Sequence, residues 1–155
     1  MECLNAGIAP LKDLIAFLTK QSKTNNVLKK QLIMELRNNL NLFSNGFKNN
    51  TPYDNMIDLL SNEAIQEAVK NNFSFKKLKS GEIGAAQVFD DRNKKYIGWT
   101  CEKLIDKIDE KIVELKNIKK MNNGSVKQVK NNISLMMGNL YFRMKLLADF
   151  IKSGQ

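Results

Sequence analysis

The sequence predicts an all-α fold: a single domain, 1–155, arranged as an antiparallel bundle of four long helices plus one or two short helices. Two observations carry this. Apolar residues recur at helical spacing in four long stretches, and only 2 prolines and 8 glycines interrupt 155 residues. A third sets the size of the object. With 43% apolar and 26% charged residues, the chain has the composition of a globular domain and the length for one core, burying roughly two-thirds of its unfolded surface.

The elements follow in order. Residues 1–9 carry Leu4 and Ile8 without a clear period and read as a loosely packed lead-in. Pro10 suits a first helical position, and Leu11, Leu14, Ile15 and Leu18 then give a helix running to about Ser22. Thr24 or Asn25 is placed to cap a second helix. Its stripe is Leu28, Leu32, Leu36, Leu40, Phe43 and Phe47, and its end falls at Asn45-Gly46 or near Asn49. Thr51-Pro52 starts a third, with Thr as cap and Asp54 set against the positive end of the dipole. Met56, Ile57, Leu60, Ala64, Ala68 and Val69 form its inner face, and Ser61-Asn62 is a point where it can break.

From 73 to 98 the pattern weakens. Phe73, Phe75, Leu78, Ile83, Val88 and Phe89 are punctuated by Gly81, Gly84, Asp90, Asp91 and Asn93, which suggests short helices at 74–79 and 82–89 and a mobile tip at 90–95. Thr100 then caps a long helix with the seam Cys101, Leu104, Ile105, Ile108, Ile112, Leu115 and Ile118, its other side alternating in charge.

The last stretch, 125–152, opens on Ser125-Val126-Lys127-Gln128, which reads as a capping box after the turn residues Asn122-Asn123-Gly124. Ile133, Met137, Leu140, Met144, Leu147 and Ile151 make one apolar stripe. Leu135, Phe142, Leu146 and Phe150 make a second, with only Ser134, Gly138, Lys145 and Asp149 as a small or polar strip. Such a helix is either central in the bundle or offers one face to a partner. In the second case Leu135, Phe142, Leu146 and Phe150 would meet the partner, with Asn139 and Arg143 as polar anchors in the same arc.

Composition narrows the chemistry. No apolar run approaches the ~18 residues of a membrane span, and the first residues lack the basic start and apolar core of a signal peptide, so a cytoplasmic protein with no membrane role is expected. Cys3 and Cys101 suggest neither disulfide nor metal site, and Cys101 reads as a small core residue. The chain has no histidine. That removes Ser-His and Cys-His nucleophile pairs and His-containing zinc sites, and no phosphate-binding glycine loop or acidic calcium loop is present. The paired carboxylates Asp90-Asp91 and Glu63/Glu67 read as turn and surface residues. No enzyme activity, metal or cofactor is expected.

The formal charge of +9 raises the alternative of nucleic-acid binding. Lysine supplies most of it. The chain has 22 Lys and three Arg with abundant Asn, a bias of AT-rich coding, and Arg is the better reader of phosphate and base. The best candidates for this alternative are Lys76, Lys77 and Lys79 beside Phe73 and Phe75, and Arg92, Lys94 and Lys95 beside Tyr96 and Trp99. The turn Glu35-Leu36-Arg37-Asn38-Asn39-Leu40-Asn41 resembles the Arg-Asn turn of HEPN-type helical bundles, which would imply a ribonuclease. The histidine which that family places after the Arg is missing, with Asn41, Leu42 and Phe43 in its region, so the resemblance extends at most to a degenerate, non-catalytic relative. The leading expectation is a non-enzymatic helical protein-interaction module, a bacterial or phage-derived regulatory, adaptor or immunity-type component, meeting another protein or a second copy of itself.

Overall fold

The computed structural model describes residues 8–154; Cys3 and nearly all of the lead-in lie outside the described residues. Six α-helices follow in order: α1 Ile8–Gln21, α2 Val27–Lys48, α3 Tyr53–Leu59, α4 Glu63–Lys70, α5 Cys101–Met121 and α6 Ile133–Lys152. Between α4 and α5 lie three short 3-10 helices, Phe75–Lys77, Ala85–Gln87 and Asp91–Tyr96. Among the described residues there is no strand, only an isolated antiparallel bridge between Glu82 and Thr100.

Several starts differ from expectation by a residue or two. α1 begins before Pro10, at Ile8. The α2 cap is Asn26, whose side chain accepts from Lys29 N at 3.1 Å, while Thr24 Oγ1 accepts from Asn26 N and so shapes the turn before it. α3 begins at Tyr53 after Pro52, with no side-chain cap from Thr51. Thr100 caps α5 as its position predicts, accepting from Lys103 N at 3.3 Å.

The larger correction is at α6, which starts at Ile133 rather than Ser125. The Ser125 hydroxyl is taken by Asp54: it donates to Oδ2 at 2.8 Å, and Val126 N donates to Oδ1 at 2.7 Å. Ser125 Oγ still accepts, but from Lys127 N at 3.2 Å rather than from Gln128 N, so with the two charge-assisted bonds to Asp54 the segment is held as a turn and not as a capping box. Asn132 caps instead, accepting from Leu135 N at 3.0 Å. The turn residues do act as expected, with Asn123 and Gly124 at φ 58° and 82°.

One contiguous core fills the space between the helices. α6 is its hub, packing against α1, α2, α5 and the last two 3-10 helices. Its first stripe is buried throughout. On α4 the inner face is Ile65 and Ala68, and Val69 faces solvent. That rotation follows from the break at 60–62, which resets the helical phase after α3.

The break is held by two polar residues on the apolar side of α2. Asn39 pairs with the Ser61 backbone twice, donating from Nδ2 to the carbonyl at 2.8 Å and accepting from the N–H at 3.0 Å. One turn earlier, Glu35 accepts from Ser61 Oγ at 2.8 Å, Ala64 N at 2.7 Å and Ile65 N at 3.3 Å. A side chain from another helix thereby satisfies first-turn N–H groups of α4, whose own cap residue Asn62 makes no capping bond and instead donates from Nδ2 to Asp109 Oδ1 at 2.8 Å. The Arg-Asn turn is thus a structural clamp: its buried polar members are Glu35 and Asn39, while Arg37 donates to the neighbouring Asn38 at the surface.

Candidate interaction surface on the last helix

Residues 73–100 form a strap laid over the second face of α6. Its later part, 83–99, is closed by Ile83 N to Trp99 O at 2.9 Å and Gly98 N to Ile83 O at 2.8 Å. Gly98 supplies the φ of +89° that this return requires. The 90–95 segment, expected as a mobile tip, is tied to α6 through one buried side chain. Buried Asn93 donates to the Phe142 carbonyl at 3.0 Å, and Asp90 Oδ1 caps the turn, accepting from Arg92 N at 3.0 Å. Short polar-rich turns give no helical or alternating period, which is why the sequence pattern faded here while the backbone stayed ordered by tertiary bonds.

The strap divides the six residues proposed for a partner. Phe142, Leu146, Phe150 and Arg143 are buried, and Leu135 and Asn139 remain at the surface. Burying an aromatic or leucine side chain of this kind contributes about 1.5–3 kcal/mol, so the second stripe is core from Phe142 to Phe150. Of the expected polar strip only Ser134 is exposed. Gly138 is buried with the Arg92 guanidinium beside it, and the Lys145–Asp149 pair, 3.5 Å apart, leaves only 12% and 14% of its side chains exposed. Desolvation raises the Asp149 pKa, an effect Lys145 only partly offsets.

What the strap adds is an outer surface. Phe89 stands out at its crest, 72% exposed, with Lys145 Nζ 5.6 Å from its ring. Arg92 lies over the Phe142 ring at 4.2 Å and pairs with Asp90 at 2.8 Å. Leu135, 55% exposed, is ten residues before Lys145 on α6, so roughly 15 Å separates the two apolar anchors along the helix axis. Leu135 was legible from periodicity; Phe89 was not, because nothing in an aperiodic stretch says which aromatic turns outward.

No protein-family model, curated protein or solved structure matches this chain.

The six basic residues of the nucleic-acid alternative are mostly engaged. Lys79 lies 5.5 Å from the Phe150 ring, Arg92 is held as above, Lys94 pairs with Asp91 at 3.0 Å, and Lys95 lies 5.4 Å from the Tyr96 ring. Lys76 and Lys77 are exposed with no ion pair among the described residues. Their aromatic neighbours do not form a free stacking platform. Phe75 and Tyr96 are buried, and Trp99 is half-buried with Lys103 over its face at 4.3 Å.

No group of three or more Cys, Asp or Glu placed to hold a metal occurs among the described residues. Cys101 is buried, and desolvation pushes its thiol up to about 12, which keeps it protonated and unreactive at neutral pH. Glu67 accepts from Asn71 Nδ2 at 2.9 Å, so this carboxylate of the Glu63/Glu67 pair ties down the end of α4. No described helix is long and apolar enough to cross a membrane.

Proposed function

We propose that this chain is a single-domain, non-enzymatic protein-interaction module of four long helices, α1, α2, α5 and α6, working in the cytoplasm as a regulatory, adaptor or immunity-type component of bacterial or phage origin. The observation that supports it is the pair of exposed apolar anchors, Phe89 and Leu135, set on either side of Arg92 and Asn139. Aromatic and Arg side chains around an apolar centre are the composition of binding hot spots. The strap holds this surface on a rigid support, so little ordering cost falls on binding.

The partner this surface fits is an acidic protein. The strap carries Lys76, Lys77, Lys79, Arg92, Lys94 and Lys95 against Glu82, Asp90 and Asp91, and the whole chain is +9. That charge opposes a face-to-face second copy. The test compares wild type with a Phe89→Asp/Leu135→Asp double variant. Both changes are at exposed positions, so circular dichroism and melting should be unchanged within ~0.5 kcal/mol. A partner captured from the native host and then rebuilt from purified components should bind the double variant at least about tenfold more weakly, each hot-spot loss being ~1–2 kcal/mol. Equal affinity in a folded double variant would sink this surface. Capture of DNA or RNA with steep loss on adding salt would favour the nucleic-acid alternative instead.

A further inference from the structure

Beneath the exposed anchors lies a cation without a counter-charge. Arg143 is only 4% exposed, and no carboxylate lies within 4 Å of it among the described residues. Its Nε donates to Tyr96 Oη at 2.9 Å, and its guanidinium sits 5.5 Å from the same ring. The four N–H bonds on its two terminal nitrogens have no acceptor among the described residues. Those nitrogens are not sealed, because the fully enclosed side-chain polar atom lacking a partner among the described residues is the Tyr141 hydroxyl. A second cation, Lys95, approaches the Tyr96 ring at 5.4 Å. The Tyr96 hydroxyl accepts from Arg143, and its own proton has no acceptor among the described residues.

Buried charges in proteins are paired, and a guanidinium presents a planar fork that matches an oxyanion in bidentate fashion. Here the two terminal nitrogens of that fork and the phenolic proton are left without an acceptor among the described residues, with the Lys95 ammonium 5.4 Å from the Tyr96 ring. We propose that Arg143, Tyr96 and Lys95 form an oxyanion receptor, and that its occupant is the carboxylate of an acidic side chain on the partner. The source of the carboxylate rests on the interaction reading given above; the receptor itself does not. A guanidinium only 4% exposed admits the tip of an Asp or Glu side chain more readily than a phosphodiester backbone, and the exposed Leu135 and part-buried Asn139 stand two turns and one turn before Arg143 on the same helix.

The test needs no partner. The Nε–Hε resonance of Arg143 in nitrogen-labelled protein is followed while acetate, N-acetylglutamate, inorganic phosphate or chloride is added at fixed ionic strength. A saturable shift with acetate and N-acetylglutamate, absent with chloride, is expected. Tyr96→Phe keeps the ring and removes one donor, and should weaken carboxylate binding about fivefold with the fold intact, one hydrogen bond being worth ~1 kcal/mol. No saturable shift with either carboxylate in the wild type overturns the proposal whatever the variants do. Undiminished binding in Tyr96→Phe overturns the assigned geometry, and saturation by phosphate alone replaces a carboxylate-bearing partner with a phosphate-bearing one. Carboxylate binding together with unchanged partner affinity in the Phe89/Leu135 variant would leave the receptor standing and remove the interaction surface. The converse result would do the opposite.

Discussion

Glu35→Ala should lower the unfolding free energy by about 2–4 kcal/mol, measured by urea denaturation at pH 7. The side chain accepts three hydrogen bonds, two of them from backbone N–H groups in the first turn of α4. Deleting it leaves those donors to whatever water reaches them, at ~1–3 kcal/mol for each one left unpaired. Glu35→Gln keeps one acceptor and should cost clearly less. The effect should be local first. Hydrogen exchange at Ala64 and Ile65 is expected to rise more than exchange in α5.

The same residue gives the stability curve a direction. Burial desolvates the Glu35 carboxylate and raises its pKa, against the lowering effect of its donors from Ala64, Ser61 and Ile65. Asp149 and Asp106 are also raised, in each case mainly by burial. A carboxyl whose pKa is higher folded than unfolded binds its proton more readily in the native state, so its contribution falls as pH rises through that window. Stability attributable to these groups should therefore be fully present below the ordinary carboxylate range and fall as pH rises through their raised folded pKa values. Asp54 runs the other way. Although burial opposes it, donors from Val126 and Ser125 and the charge of Lys119 hold its pKa low, and its contribution is lost on acidification below the ordinary Asp range. Glu35→Gln should flatten that fall above the ordinary Glu range. A curve identical in shape to wild type would show that Glu35 does not titrate there.

Phe43→Ala should cost about 3–5 kcal/mol, and Tyr141→Phe, a change in the same cluster, should stabilise by roughly 1 kcal/mol. Phe43 is fully buried, its ring 5.7 Å from Phe47 and 5.5 Å from Tyr141, so truncation opens a cavity where α2 meets α6. The Tyr141 hydroxyl is enclosed without a hydrogen-bond partner among the described residues, and desolvation pushes its pKa up to about 12. Removing that oxygen removes an uncompensated desolvation cost while the ring contacts with Phe43, Phe47 and Phe142 stay. Calorimetry should show Tm rising by about 2–4 °C for Tyr141→Phe. A lower Tm would mean that the hydroxyl has an acceptor in solution.

Much of this was open to reading in advance. Helix positions and most inward faces follow from a rotation of about 100° per residue, and the positive φ at Asn123 and Gly124 follows from their chemistry. Even the clamp had a signal. Glu35 and Asn39 are four apart and interrupt the stripe of Leu32, Leu36, Leu40 and Phe43, and polar residues on an apolar face need partners. What no periodicity carried was which partner each would find.

For the last helix, the sequence by itself determined that two of its faces are apolar and that some surface must cover the second. Only the tertiary structure decided what covers it. The strap over 73–100 is ordered by single long-range bonds, Asn93 to the Phe142 carbonyl and Arg143 to the Tyr96 hydroxyl, between residues 49 and 47 positions apart. Helical rotation is a local property and can be counted along the chain, whereas such bonds depend on where distant segments meet. That is why Ser125 lost its cap to Asp54, why Phe142, Leu146 and Phe150 became core, and why the exposed anchors shifted to Phe89 and Leu135.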